Sequence, residues 1–278
     1  MTRPIAEQVS EHYARSDLEA AILAALVASG KDIERLELDD LAPVDEFHTG
    51  GRQATVEFAE QIGVKPNEHI IDIGCGIGGP SRYFATQLGC RVTGIDLTED
   101  YVRLSRALAD RLRLDGRVAY RHASALDLPF DDGTFDGAYM MHVGMNIEDK
   151  RALFAEVRRV LKSEGWFALF DVMRKGDGPL AYPVHWAATA ETSFVVKPAE
   201  YRRALEAAGF KIVRERDRTE FARDFFAKVT ARLAETGERP PLGLHLLMKR
   251  DVPEKVANVI GNLEKGLIAP TEMICAAP

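Results

Sequence analysis

The feature that most narrows the fold is Ile70-Ile-Asp-Ile-Gly-Cys-Gly-Ile-Gly-Gly79, a short apolar run that ends in Asp72 and breaks into glycines just before a helical segment. Glycine lets a backbone turn sharply and approach a ligand closely, and free N–H groups at a helix start favour an anionic group. Strand, glycine turn and helix in that order open a parallel α/β sheet, and the turn is expected to hold a cofactor. Gly74, Gly76 and Gly79 satisfy G-x-G-x-x-G, and Asp96 ends the next apolar run where a ribose-binding acid belongs. On their own these residues fit a dinucleotide dehydrogenase as well, so the motif alone does not name the chemistry.

From Glu68 onward short β-rich runs alternate with helical segments. The runs are His69 to Ile73, Arg91 to Ile95, Arg117 to Arg121, Phe135 to Met141 and Trp166 to Asp171; the helices are Pro80 to Leu88, Glu99 to Leu114 and Glu148 to Leu161. The last carries Leu153, Phe154, Val157, Val160 and Leu161 on one stripe, as a helix covering a sheet should. Such alternation predicts an α/β fold with a mostly parallel, doubly wound, Rossmann-like sheet and ligands at the carboxyl ends of its strands.

Residues 1–64 read instead as an N-terminal helical cap on a body formed by residues 65–278. A capping box of Ser16 and Glu19 precedes Leu18, Ile22, Leu23 and Leu26 at helical spacing, and Gly30 supplies a stop. Pro43 to Gly51 is rich in loop formers, and a second helix is expected from Gln53 to Ile62. After Asp171 the regularity pauses, which predicts a lid at about 173–197. Lys197-Pro198 opens a helix that Gly209 closes, and Phe210 to Arg216 returns as a strand. A helical insertion at about 219–265 contains Thr219 to Glu235 and Val252 to Glu264, and Ile268 to Ala276 forms the final strand.

Among the 278 residues, 36 are Lys or Arg and 43 are Asp or Glu, a net charge of −7 that repels nucleic-acid phosphates. The basic groups Arg103/Arg106/Arg111/Arg113 and Lys211/Arg214/Arg216/Arg218 are interrupted by acids and read as solvated faces, so no nucleic-acid partner is expected. The longest apolar run, Ala20 to Ala28, is about half of the ~18 residues a membrane span needs. No secretory signal stands at the start, so the expected location is the cytoplasm, away from membranes. Cys75, Cys90 and Cys275 have no disulfide or metal-type spacing, and no metal is expected. Nor is there a G-x-S-x-G elbow or a P-loop lysine, which leaves hydrolase and kinase readings without support.

Four blocks in order carry a family likeness: Asp72-x-Gly74-x-Gly76-x-Gly78, Gly94-Ile-Asp-Leu97, Leu128-Pro-Phe-x-Asp-Gly-Thr-Phe-Asp136 and Glu156-Val-Arg-Arg-Val-Leu161. Together they closely resemble the class I S-adenosylmethionine-dependent methyltransferases over about residues 65 to 172. The flanks Asp45 to Gly51 and Cys75 to Arg82 look like the small-molecule branch, which includes sarcosine/dimethylglycine, tocopherol and quinone-biosynthesis methyltransferases. The resemblance implies a seven-stranded sheet with the last strand antiparallel. It implies S-adenosyl-L-methionine as cofactor, held by Asp72, Gly74, Cys75, Gly76, Gly78, Asp96, Leu97, Ser124, Ala125 and Met141. Within that set, Asp72 lies near the amino end, Asp96 takes both ribose hydroxyls and Leu97 covers the adenine. Ser124 stands where many relatives have an Asp that meets the adenine amino group, and Leu161-Lys-Ser-Glu-Gly165 varies a turn that is commonly Leu-Lys-Pro-Gly-Gly.

Methyl transfer from a sulfonium is an in-line displacement, so positioning dominates and a general base is optional. His142, at the end of the fourth strand, is the candidate catalytic residue, with packing as its other reading. Candidate acceptor contacts are Tyr13, His48, Arg52, Tyr182, His185 and Trp186: Arg52 to pair with a carboxylate, and the loop aromatics to hold a methylated cation. The expected acceptor is a small molecule, by resemblance an amine or amino-acid-like nitrogen, with a quinone or isoprenoid-type ring carbon as the alternative. A nicotinamide dehydrogenase and a scaffold that keeps the fold without catalysis are the competing readings, and a homodimer is left open.

Overall fold

In the computed structural model, which describes residues 4–237, 240–248 and 251–278, the chain forms ten helices and seven strands among the described residues. The helical elements before the sheet are α1 (Ile5–Tyr13), α2 (Leu18–Ala28), α3 (Leu38–Asp45) and α4 (Gly51–Ile62). There follow β1 (His69–Ile73), α5 (Gly79–Gln87), β2 (Arg91–Asp96), α6 (Glu99–Arg111), β3 (Val118–His122), β4 (Phe135–Met141), α7 (Lys150–Val160) and β5 (Leu161–Arg174). Beyond these come α8 (Pro198–Ala207), β6 (Lys211–Asp217), α9 (Thr219–Thr236), α10 (Val252–Glu264) and β7 (Ile268–Ala276). The expected segments 1–64 and 219–265 take in residues 1–3, 238–239 and 249–250, which lie outside the described residues.

All seven strands join one sheet in the order β3-β2-β1-β4-β5-β7-β6. Pairing is parallel from β3 through β5, and β7 runs antiparallel to both neighbours, β5 and β6. The order reverses between β1 and β4, so the crevice at their carboxyl ends is where this fold takes ligands. Alternate residues feed opposite faces. Ile71, Ile73, Ala138 and Met140 pack under α7 and α8 against Phe154 and Tyr201, while Ile70, Tyr139 and Phe170 meet Phe58 of α4 and Phe84 of α5. Each such fully buried apolar side chain stabilises by roughly 1.5–3 kcal/mol.

Three expectations need correction. The Ser16–Glu19 capping box does not form: α2 begins at Leu18 with Asp17 as an N-cap that makes no side-chain cap bond. The Asp17 carboxylate is instead held by Arg15 Nε at 2.8 Å. The supposed loop from Pro43 is helical at its start, because α3 carries Pro43 in its last turn. A capping box of Glu37 and Asp40 anchors the other end of α3. Finally, β5 is longer than Trp166 to Asp171, since it leaves α7 directly and pairs with β7 as far as Arg174. Among the described residues no helix is long and apolar enough to cross a membrane, and no group of His, Cys, Asp and Glu could hold a metal ion.

Candidate active site

The glycine loop is built for close approach. Gly74 and Gly76 have φ of +72° and +55°, and the backbone N–H groups of Gly74 and Cys75 both donate to Ile95 O, which ties the loop to β2. A Cβ on Gly74 would collide with Val143, whereas one on Gly76 would meet nothing within 4 Å. Gly76 therefore faces open space. Its N–H donates to Asp96 Oδ2 at 2.9 Å, and Thr98 N–H donates to Asp96 Oδ1 at 2.8 Å. Each oxygen keeps a further lone pair, and the carboxyl is fixed at the rim of the loop. Burial raises the Asp96 pKa to about 6.

Asp72 ends β1 beneath the loop, where its Oδ2 accepts from Ser81 Oγ at 2.6 Å and Tyr139 Oη at 2.8 Å. Burial lifts its pKa to about 7 against those two hydrogen bonds. Both carboxyls, with Gly74, Cys75, Gly76, Leu97, Ser124, Ala125 and Met141, line a cavity of about 650 Å³ over the carboxyl ends of the strands. Gly78 does not reach it. As N-cap of α5, Gly78 has φ +84° and leaves room for Tyr120 and Arg82 behind the loop, which is a packing task.

Beyond the loop the cavity runs between α1, α9 and α10. His142, at φ +56°, lies on its wall, with Nε2 3.2 Å from Thr49 Oγ1 and a buried Nδ1 that has no hydrogen-bond partner. Its pKa is pushed well below 6.5, first by burial and then by His48 and His185, so its imidazole is neutral at neutral pH. His48 is also in the wall, 3.1 Å from Thr55 Oγ1, and burial lowers its pKa to about 4. The Tyr13 hydroxyl donates to Asn146 Oδ1 at 3.1 Å, and Asn146 Nδ2 donates to Trp186 O at 2.8 Å. Trp186 Nε1 is tied to Ser193 Oγ at 2.9 Å. His185 lines the cavity with a buried Nε2 that lacks a partner and a pKa lowered to about 4 by burial.

Two expected acceptor contacts are not brought here. Arg52 is taken up by Glu46, with Nε 2.6 Å from Oε1, and stands over the Tyr83 ring outside the cavity lining. Tyr182 packs with Val184, Trp186, Phe225 and Phe226 but does not line the cavity. Sequence reasoning also missed wall residues. Tyr101 on α6 has a buried hydroxyl without a partner, and Asn146 sits in the 3₁₀ turn Gly144–Asn146. That turn rests on Asp171, which accepts from Tyr201 Oη at 2.6 Å and leaves space only for glycine at Gly144. For Asn146 no local pattern was available. Tyr101 could have been found from its place one turn into the helix that follows Asp96.

A cavity lined by the positive-φ glycines Gly74 and Gly76, a carboxyl held at the second strand tip and unpartnered polar atoms in its wall fits a nucleoside-bearing ligand. Residues 71–169 match the methyltransferase domain family. The chain is 30% identical over 163 residues to the O-methyltransferase cnsE of Penicillium expansum, covering 59% of each chain. To the sarcosine/dimethylglycine N-methyltransferase of Halorhodospira halochloris it is 28% identical over 216 residues, which is 77% of this chain and 75% of that one. Geranyl diphosphate C-methyltransferase from Streptomyces coelicolor A3(2) superposes with a TM-score of 0.70 at 17% identity, covering 100% of both chains. Together with the four motifs, these matches make the chain similar to the class I S-adenosylmethionine-dependent methyltransferases, with a methyltransferase domain over residues 71–169. The chain spans only 59% of the length of the cnsE relative.

Proposed function

We propose that this protein moves a methyl group from S-adenosylmethionine to a small-molecule acceptor held in the cavity beside His142. One observation carries the reading: Asp96, Asp72 and the Gly74–Gly76 turn face a single cavity whose lining also takes in His142 and residues of α1, α9 and α10. The residues fit the cofactor. Asp96 has lone pairs for two ribose hydroxyls, Asp72 a buried carboxyl for an ammonium, and Gly76 open space for close approach. Leu97 and Ala125 supply apolar contact for an adenine, and Ser124 a polar one. The sulfonium, when bound, supplies an activated methyl and a neutral leaving group. What the chain itself contributes is alignment and exclusion of water, with residues 1–64 as a cap and the loop after β5 as a lid.

His142 is offered as the group that contacts the acceptor, and its neutral Nδ1 can take or share a proton. An amine nitrogen is the first reading for the accepting atom, supported by the sarcosine/dimethylglycine relative. Ring carbon is the second, supported by the apolar side chains that dominate the far wall. Three buried, unpaired cysteines support a reducing, cytoplasmic setting. Isothermal titration with S-adenosylhomocysteine tests the reading: tight 1:1 binding that Asp96→Ala weakens is expected, and absence of binding removes it.

A further inference from the structure

The acceptor half of the cavity has a chemistry of its own. Its wall is made by Val9 of α1, Trp186, Phe226 and Val229 of α9, and Val256 and Val259 of α10. Around the whole cavity the charged lining residues are Asp45, Asp72, Asp96, Glu148, Asp149 and Arg232, so among the described residues one Arg faces five carboxyls. Arg232 stands on an exposed stretch of α9, and Asp45 is already neutralised by Arg82 at 2.6 Å. The histidines His48, His142 and His185 bring no positive charge at neutral pH, because burial depresses each of them. A cationic sulfonium suits such a field. Lys255 of α10 is buried and its charge weighs on His185, but it is not among the lining residues; an anionic acceptor would leave water for a lining that offers no buried cation, which costs several kcal/mol or more.

His142 Nδ1 and His185 Nε2 are buried in the lining without a partner, as Tyr101 Oη is elsewhere in it. His185 is near enough for its charge to weigh on His142. A buried imidazole nitrogen without a hydrogen bond costs about 1–3 kcal/mol, and a ligand heteroatom can recover it.

We infer that the acceptor carries no anionic group and has an extended hydrocarbon body, and that it presents one heteroatom to the unpartnered nitrogens of His142 and His185. This rests on reading the loop side of the cavity as the S-adenosylmethionine site. It holds for either accepting atom, since it concerns the body of the acceptor.

The experiment uses the full chain saturated with S-adenosylhomocysteine and the neutral dye N-phenyl-1-naphthylamine. The dye should bind at one site, and geraniol should displace it on the order of 100-fold more effectively than geranyl diphosphate or sarcosine does. Val256→Glu and Val229→Glu should abolish dye binding while S-adenosylhomocysteine affinity and Tm stay near the parent values, which separates lost acceptor binding from misfolding. If the loaded protein does not take the dye, or if geranyl diphosphate or sarcosine competes as well as geraniol, the inference is overturned while the cofactor reading stands. Failure of S-adenosylhomocysteine itself to bind removes both.

Discussion

Arg82 and Asp45 form an ion pair shut away from solvent, with Nη2 2.6 Å from Oδ1 and neither side chain exposed. It joins α5, the helix behind the glycine loop, to the N-terminal helix α3, and Arg82 Nη1 also donates to Ile77 O inside the loop at 2.7 Å. Gly79 lets the two elements touch, since a Cβ there would strike the Asp45 backbone. The geometry of the loop and the placement of α3 are thus one mechanical unit.

Breaking one partner leaves the other charge buried and alone. Arg82→Met should therefore cost about 3–5 kcal/mol of stability in urea unfolding. Adding Asp45→Leu to it should restore a large part, because no naked charge remains. A single variant as stable as the parent would mean that the pair is not buried in solution.

Gly74→Ala and Gly76→Ala separate folding from binding. The first drives a methyl into Val143 and should destabilise by several kcal/mol, as overpacked cores do. The second meets only open space at φ +55°, so the stability loss should be about 1 kcal/mol. Its methyl projects toward the cavity, and S-adenosylhomocysteine titration should show weakened binding out of proportion to the small change in Tm.

Cofactor affinity should depend on pH. Folded Asp72 and Asp96 have pKa values raised to about 7 and about 6, so both take up protons as the solution is acidified through that range. A ligand that donates to ionised carboxylates competes with those protons. Binding should weaken on going from about pH 8 to about pH 5.5, with a limiting slope of about tenfold per pH unit for each carboxyl. Asp96→Asn should remove one of the two titrations and leave a shallower profile; an unchanged profile in that variant would argue against the assignment.

His142 titrates well below its ordinary range, so its imidazole enters the neutral region already deprotonated. No inflection attributable to it should appear in kcat between about pH 6 and 8. His142→Gln should lower turnover by about 10²-fold or more while S-adenosylhomocysteine affinity holds within about twofold, as loss of a group that acts on the acceptor would. Equal losses in both measurements would return His142 to the packing reading.

Tyr13 fastens α1 to the 3₁₀ turn through Asn146. Tyr13→Phe should release about 0.5–1.5 kcal/mol of that hold. Hydrogen exchange of the amides in residues 5–13 should speed up accordingly, and unchanged exchange would show that other contacts keep α1 shut.

The loop side of the site was legible because its determinants are local: an apolar β-rich run, Asp72, and glycines at positions where positive φ or open space demands them. For the same reason β1, β4, α10 and β7 fall on their expected bounds. Where the sequence misled, a nearby opposite charge had taken a side chain away. Arg15 holds the carboxylate that would have capped α2, and Glu46 holds Arg52 away from the cavity. The acceptor wall was illegible because it is assembled from α1, α9 and α10, whose meeting is a tertiary fact with no spacing to announce it.

Placement of β7 between β5 and β6 has a consequence for biosynthesis. Until residues 268–276 leave the ribosome, the outer edge of β5 and the whole of β6 have no hydrogen-bonding neighbour in the sheet. A nascent chain stalled before that point would expose two sticky strand edges at once. Chaperone engagement should accordingly peak late in translation.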